Sequence, residues 1–154
     1  MLRVTATSRG IATVELNSSR GAVWFDAAHH RCCAPASSLQ DCVQELKEYF
    51  EGKRKQFTVP LDLEGTQFQK NVWKRLLAVR FGETLTYGQI AKAIGKPRAV
   101  RAVGTALKNN PIAVIVPCHR VLPTSRETGN YAWGKARKKW LLRHEECHGE
   151  RSEP

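Results

Sequence analysis

The chain has 154 residues, 25 Lys/Arg against 14 Asp/Glu for a formal charge of +11, and 42% hydrophobic residues. That length suits one domain or two small ones and lets folding bury about two thirds of the surface an extended chain exposes. No apolar run approaches the ~18 residues of a membrane span, and no basic start leads into an apolar block, so a soluble, unsecreted protein with no membrane association is expected.

Five cysteines, Cys32, Cys33, Cys42, Cys118 and Cys147, make an odd count without an export signal, which predicts reduced thiols rather than a disulfide framework. The charge is lopsided: residues 1–63 hold 8 Lys/Arg against 7 Asp/Glu, and residues 64–154 hold 17 against 7. A one-sided basic field fits a polyanion such as nucleic acid, a solubilising surface or an anionic lipid.

In chain order, RVTATS, GIATVELNS and GAVWFDAA are rich in β-formers and punctuated by Gly10 and Gly21, which predicts strands. Ser38 is a candidate cap for a helix with Leu39, Val43, Leu46 and Phe50 on one face. QFTVPLDL returns to an extended pattern, with Pro60 at a strand edge or end. At Gly65 the pattern turns helical. Thr66 and Gln69 form a capping box for a helix striped by Phe68, Val72, Leu76 and Val79, and Thr86 and Gln89 form another for TYGQIAKAIG, which Gly95 stops. Pro97 fits the first turn of a further helix, PRAVRAVGTALKNN. The last two helices read either as a helix-turn-helix or as an ordinary packed pair carrying solvated cations. These divisions give a small α/β domain over 1–63, a mainly helical domain over 64–150 and a disordered tail over 151–154.

AVIV, residues 113–116, reads as a buried strand that Pro117 ends, placing Cys118 where the strand leaves the core. A lone cysteine is most simply a small buried hydrophobe. His119 changes that reading, because a thiol is only a few per cent thiolate at neutral pH until a base or cation assists it. Contact between the two side chains requires the Pro117 bend or a bridging water, and Glu145 in RKKWLLRHEE is a candidate partner for the imidazole. HHRCC, residues 29–33, lacks the spacing by which one tetrahedral ion is wrapped, so no metal is expected there. Lys135, Arg137, Lys138 and Lys139 form either a solvated face or a phosphate contact; Cys42 is expected to be structural and Cys147 to lie at a frayed helix end.

GTQFQKNVW, TYGQIAKAIG, RAVRAVGTALKNNP, VIVPCHRV and GNYAWGKARKKWLLRHE, in that order and spacing, resemble the O6-alkylguanine-DNA alkyltransferase (methylated-DNA–protein-cysteine methyltransferase) family over residues 64–146. The resemblance implies an α/β architecture: a small ribonuclease H-like domain, then a mainly helical domain with a winged helix-turn-helix. It implies direct-reversal repair in which Cys118 takes the alkyl group from O6 of a flipped guanine, with O4-alkylthymine as a further substrate, in one irreversible turnover. By motif position, His119 matches the base that works through a water, Glu145 the carboxylate that orients it, Asn110 the brace of the active-site turn, and Tyr87 the donor towards the guanine ring. Arg101 matches the residue that fills the gap left by the base. Ala102, Gly104 and Ala106 match the small residues of the helix in the minor groove, and Tyr131, Ala132, Val121 and Trp133 the pocket walls.

Thiolate attack at carbon is a direct displacement, so neither cofactor nor metal is expected. The expected partner is double-stranded DNA carrying O6-alkylguanine, met by a monomer in the cytoplasm of a prokaryote or the nucleus of a eukaryote. Trp133 stands where some relatives have glycine and either narrows the pocket or packs outside it. Three rival readings are a lesion sensor of the alkyltransferase-like kind, which lacks the acceptor cysteine; a transcription factor, which would want base-reading side chains on RAVRAVGTALK; and a cysteine hydrolase, which would turn over.

Overall fold

The computed structural model describes residues 2–16, 36–125 and 127–149. The segment containing GAVWFDAA and HHRCC, and the tail over 151–154, lie outside the described residues. The chain divides into two compact units, Met1–Glu64 with Pro111–Ile115, and Gly65–Asn110 with Val116–Pro154. Five residues of the apolar run before Pro117 thus group with the N-terminal unit.

In the first unit β1 (Leu2–Thr7) and β2 (Gly10–Leu16) form an antiparallel hairpin in which Val4 faces Val14, with an irregularity between Thr5 and Ala6. The far edge of β2 is occupied as well: Ile11 exchanges hydrogen bonds with Pro60 and Asp62, and Val14 with Pro111 and Ala113. QFTVPLDL is therefore extended only as far as one parallel bridge, Ile11 with Leu61, because Pro60 has no N–H to continue a ladder. Gly10 has φ +146°, and a Cβ there would lie 2.4 Å from the Pro60 oxygen, so no larger residue fits.

Helix α1 (Ala36–Phe50) starts before Ser38, which lies in its first turn rather than at its cap. The buried stripe is Cys42, Leu46 and Tyr49 with Glu45, turned slightly from the Leu39–Val43–Phe50 face read in the sequence. Glu45 can lie inside because it accepts from the Thr58 amide and hydroxyl and the Val59 amide, and pairs with Arg54.

The second unit is mainly helical, which makes the whole chain α/β. Helices α2 (Gln67–Leu77) and α3 (Tyr87–Ala93) both open with complete capping boxes, at Thr66 with Gln69 and at Thr86 with Gln89. Gly95, at φ +73°, turns the chain out of α3, as expected of the residue with no Cβ penalty in the left-handed region. Pro97 does not begin the next helix. It occupies the second position of a turn closed by Ala99 N–H to the Lys96 oxygen, where its fixed φ is equally well used, and α4 runs only over Val100–Lys108. Helix α2 packs on α3 and α4 through Val72, Trp73 and Leu76, and the Trp73 indole donates to the Ala106 carbonyl at 2.9 Å. Replacing so buried an indole by alanine costs about 3–5 kcal/mol.

The two-residue strands β3 (Leu85–Thr86) and β4 (Val121–Leu122) pair in parallel, and α5 (Lys135–Gly149) turns Lys138, Leu141, His144 and Glu145 inward. Among the described residues no helix is long and apolar enough to cross a membrane.

Candidate active site

The expected AVIV strand is buried but is not a strand. Val114 has φ +72° and turns the chain. A β-branched residue rarely adopts that region, and the strain of about 1–3 kcal/mol persists only where the surroundings dictate it. Asn110, just past the C-cap of α4, closes the loop: its Nδ2 donates to the Val116 carbonyl at 2.8 Å and to the Cys118 sulfur at 3.1 Å.

Pro117, at φ −82° and ψ 65°, is the centre of an inverse γ-turn whose bond runs from the Cys118 N–H to the Val116 oxygen at 2.8 Å. A 3-10 turn, Cys118–Arg120, follows at once and sends three consecutive functional side chains in different directions.

Cys118 is 6% exposed. Burial pushes its thiol up from the ordinary value, while the Asn110 donor, the Lys138 charge and the Tyr131 hydroxyl dipole pull it down. Tyr131 lies near enough to bias the sulfur, yet its buried hydroxyl has no well-formed hydrogen bond among the described residues. Tyr87, first residue of α3, also senses the sulfur; burial, then the Cys118 charge, raises its phenol, and its ring lies beside Gly104 of α4.

His119 is completely buried, and its Nε2 meets Glu145 Oε1 at 2.8 Å. Burial lowers its pKa and the neighbouring carboxylate only partly restores it, so the ring is neutral. With Glu145 ionised, Nε2 carries the proton and donates to it, leaving Nδ1 as an acceptor with no partner among the described residues.

Burial would raise the Glu145 carboxyl, but the His119 and Arg120 hydrogen bonds and their charges outweigh it and hold the group well below the usual carboxylate range. Arg120 grips it as a fork, Nε to Oε2 at 2.8 Å and Nη2 to Oε1 at 3.0 Å, and the Gly82 amide adds a third donor to Oε2 at 3.1 Å. The result is a hydrogen-bonded chain, Arg120 to Glu145 to His119, ending in an open basic nitrogen.

The fold thus gathers Cys118, His119, Glu145, Asn110, Tyr87 and Tyr131. Trp133 is half-buried with its ring edge-to-face on Tyr131 at 6.0 Å, while Ala132 is exposed and Val121 fully buried. On α4, Arg101 and Ala102 are exposed and Gly104 is half-buried. Ala106 must be withdrawn from the groove-facing set: it is 1% exposed and lies under Trp73, because it falls on the same face as Val103 and Leu107.

Lys138 likewise leaves the cationic face proposed for the start of α5. It is 1% exposed and donates to the Val121 carbonyl at 2.6 Å. Sequence reasoning missed Arg120, whose signal was a cation inside a buried segment that needed an acid, and the Gly82 amide, which left none.

The profile of the 6-O-methylguanine DNA methyltransferase ribonuclease-like domain matches residues 2–63, and that of the DNA-binding domain matches residues 67–147. A methylated-DNA–protein-cysteine methyltransferase of Methanosarcina barkeri is 50% identical over 108 residues, 70% of this chain and 68% of the relative. One of Mycobacterium tuberculosis is 52% identical over 105 residues, 68% of this chain and 64% of that relative. The crystal structure of M. tuberculosis OGT in complex with DNA superposes with TM-score 0.77 at 36% identity, covering 96% of this chain and 93% of that one. With both domains matched in order and the buried Cys-His-Arg turn in place, the chain belongs to the 6-O-methylguanine DNA methyltransferase family, whose members bind DNA and repair it by methyl transfer to a protein cysteine.

Proposed function

We propose that Cys118 is the acceptor and that the reaction is one irreversible displacement at the alkyl carbon of O6-alkylguanine in duplex DNA. The observation that carries this reading is the open Nδ1 of a buried, neutral His119 whose Nε2 is tied to Glu145, in the same turn as a thiol held by Asn110. The thiol proton passes to Nδ1 through a water. The sulfur lone pair then forms the S–C bond as the C–O6 bond breaks. The electron pair of that bond stays on the guanine, which takes up one proton, so the products are S-alkylcysteine and guanine. Because Glu145 is kept ionised by Arg120, it stabilises the imidazolium that forms in between.

The lesion lies inside the base stack, so the nucleotide is extruded at about a few kcal/mol, least for a poorly pairing base. Arg101, exposed on α4, fills the gap, with Ala102 and Gly104 allowing close approach in the minor groove. Tyr87 donates to the ring as its charge develops, and Tyr131 and Trp133 wall the pocket, O4-alkylthymine being the second substrate. Trp133 against Tyr131 narrows the space for large O6 substituents. The protein acts as a monomer without cofactor, in the compartment that holds the genome.

Intact mass after incubation with duplex DNA containing O6-methylguanine tests the reading. The expected gain is one methylene per chain, located in the Cys118 peptide. Binding without a mass gain would make the protein a lesion sensor, and repeated product release without an adduct a hydrolase.

A further inference from the structure

The last turns of α5 carry a pattern that methyl transfer leaves unused: HEECH, residues 144–148, an H-E-x-x-H on a helix. One turn separates the two histidines, so both imidazoles lie on one face, the arrangement by which a helix presents two nitrogens to one metal ion. Their ring centres are 4.5 Å apart, with planes tilted by 42°. An ion about 2.1 Å from each nitrogen lies about 3.2 Å from each ring centre, so two imidazoles meeting at about 90° have centres about 4.5 Å apart, against about 5.2 Å at the tetrahedral angle. The observed spacing is that of a right-angled pair.

The tautomer of His148 is set. Its Nδ1 lies 2.7 Å from the His144 carbonyl oxygen, which only accepts, so Nδ1 carries the proton and the neutral ring keeps its lone pair on Nε2. Donating one N–H to a backbone carbonyl while offering the other nitrogen is the usual state of a metal-bound histidine. His144 is held by packing: it is 9% exposed, and Trp140, four residues earlier, stacks on it at 4.9 Å with planes 9° apart. One ring is fixed by a neighbour and the other by a hydrogen bond, so little rotamer freedom is left to lose on binding.

We propose that His144 and His148 form a two-point clip for a divalent transition ion of the Ni2+ or Cu2+ class, with water filling its remaining positions.

The donor set selects that class. Imidazole nitrogens suit Ni2+, Cu2+ and Zn2+, and a right-angled pair is one edge of a tetragonal shell, which Ni2+ and Cu2+ favour. Among the described residues no three His, Cys, Asp or Glu side chains are placed to hold an ion together, so a closed tetrahedral zinc site is not built. Nor is the clip a hydrolase centre, because the glutamate of the pattern, Glu145, is held by His119, Arg120 and the Gly82 amide instead of facing a metal-bound water. What the ion does is tie residue 144 to residue 148 and so close the turn that carries Glu145.

The test is calorimetric titration of the untagged full-length chain with nickel chloride. His148→Ala, a change at a half-buried position, should weaken the affinity about tenfold or more, and Cys147→Ser should leave it unchanged. Ni2+ should raise the melting temperature of the wild type and not that of His148→Ala, since only an ion bound to the folded chain stabilises it. Equal affinity in wild type and His148→Ala, an equal loss in Cys147→Ser, or no thermal shift in the wild type overturns the proposal.

His29 and His30 are further imidazoles in the sequence, so the site is also located in the wild-type chain by nuclear magnetic resonance. Substoichiometric Ni2+ should broaden the ring protons of His144 and His148, and broadening confined to His29 and His30 overturns the clip even if the variants fail to fold. None of these readings requires Cys118 to accept a methyl group, so failure of that reaction and failure of the clip are told apart.

Discussion

Each unit contains a buried cysteine and a buried glutamate, and the two pairs are wired in opposite senses. Cys42 is fully buried, and burial together with the nearby Glu45 charge pushes its thiol up to about 12. Cys118 is almost as buried, but the carboxylate of its unit is turned away from the sulfur and spent on His119 and Arg120. Glu45 ends its network in closed backbone and side-chain bonds at Thr58 and Val59. Glu145 ends its network in an imidazole nitrogen that still has a lone pair to give. A buried polar network that closes on itself supplies stability, and one that stops at an open basic atom supplies chemistry.

Exchanging the two cysteines is the hardest test of that contrast. Cys118→Ser should abolish methyl uptake altogether while DNA binding by mobility shift stays near wild type; Cys42→Ser should leave uptake intact. Loss of uptake in both, or in neither, would erase the distinction.

Opening the carboxylate network comes next. Glu145→Gln removes the anion that fixes the His119 tautomer and stabilises its protonated form, so single-turnover transfer should slow by about 10²-fold or more. The same change strands the Arg120 guanidinium in the interior, where about 3 kcal/mol of stability is at risk. Transfer is therefore timed at a temperature where circular dichroism shows the variant folded. Unaltered transfer in a folded Glu145→Gln protein would mean that His119 is not the base.

Acid should expose the same wiring. The folded pKa values of both His119 and Glu145 are depressed, so the unfolded chain binds more protons than the folded one and stability falls with pH. The loss begins as pH drops through about 6.5, where an unfolded histidine protonates, and Glu145 adds to it below about 4.3, where an unfolded glutamate does. Urea midpoints that do not change between about pH 8 and pH 5.5 would count against a buried, neutral His119.

Asn110→Ala is a gentler perturbation. It deletes one donor that touches both the Val116 carbonyl and the sulfur, so the thiol should hold its proton more tightly and transfer should slow about tenfold, with about 1 kcal/mol of stability lost. A rate equal to wild type would assign Asn110 to the loop alone.

How much of this the sequence carried depends on the range of the interaction. The capping boxes at Thr66 and Thr86 were legible because both partners lie within four residues, as was the stop at Gly95. The start of α4 was not, since proline fits the second position of a turn as well as a helix N-terminus. AVIV read correctly as buried and wrongly as a strand: its apolar letters report burial, whereas the turn at Val114 is imposed by the loop that Asn110 closes. At the site, Cys118 and His119 were readable as neighbours, and Glu145 as a candidate partner for the imidazole that the family resemblance then matched to the orienting carboxylate. The Arg120 fork and the burial of Lys138 were not, because a cation's letter looks the same whether it faces solvent or a carboxylate 25 residues away.

The smallest effect belongs to the closed network. Cys42→Ala removes one buried sulfur and should cost about 1 kcal/mol at neutral pH, with no change in methyl transfer. Its pH dependence is more telling than its size. A thiol raised from 9.0 to about 12 in the folded chain keeps its proton after the unfolded chain has lost it. Stability from this group is therefore complete below about pH 9 and declines as pH climbs towards 12, by at most about 1.4 kcal/mol per pH unit. Alanine has no proton to lose, so its alkaline limb should be the flatter of the two. Urea unfolding at neutral pH and near pH 10 should show the gap between wild type and variant shrinking. A gap that stays constant would mean that Cys42 ionises as readily in the folded chain as in the unfolded one, and the two buried cysteines would no longer differ in kind.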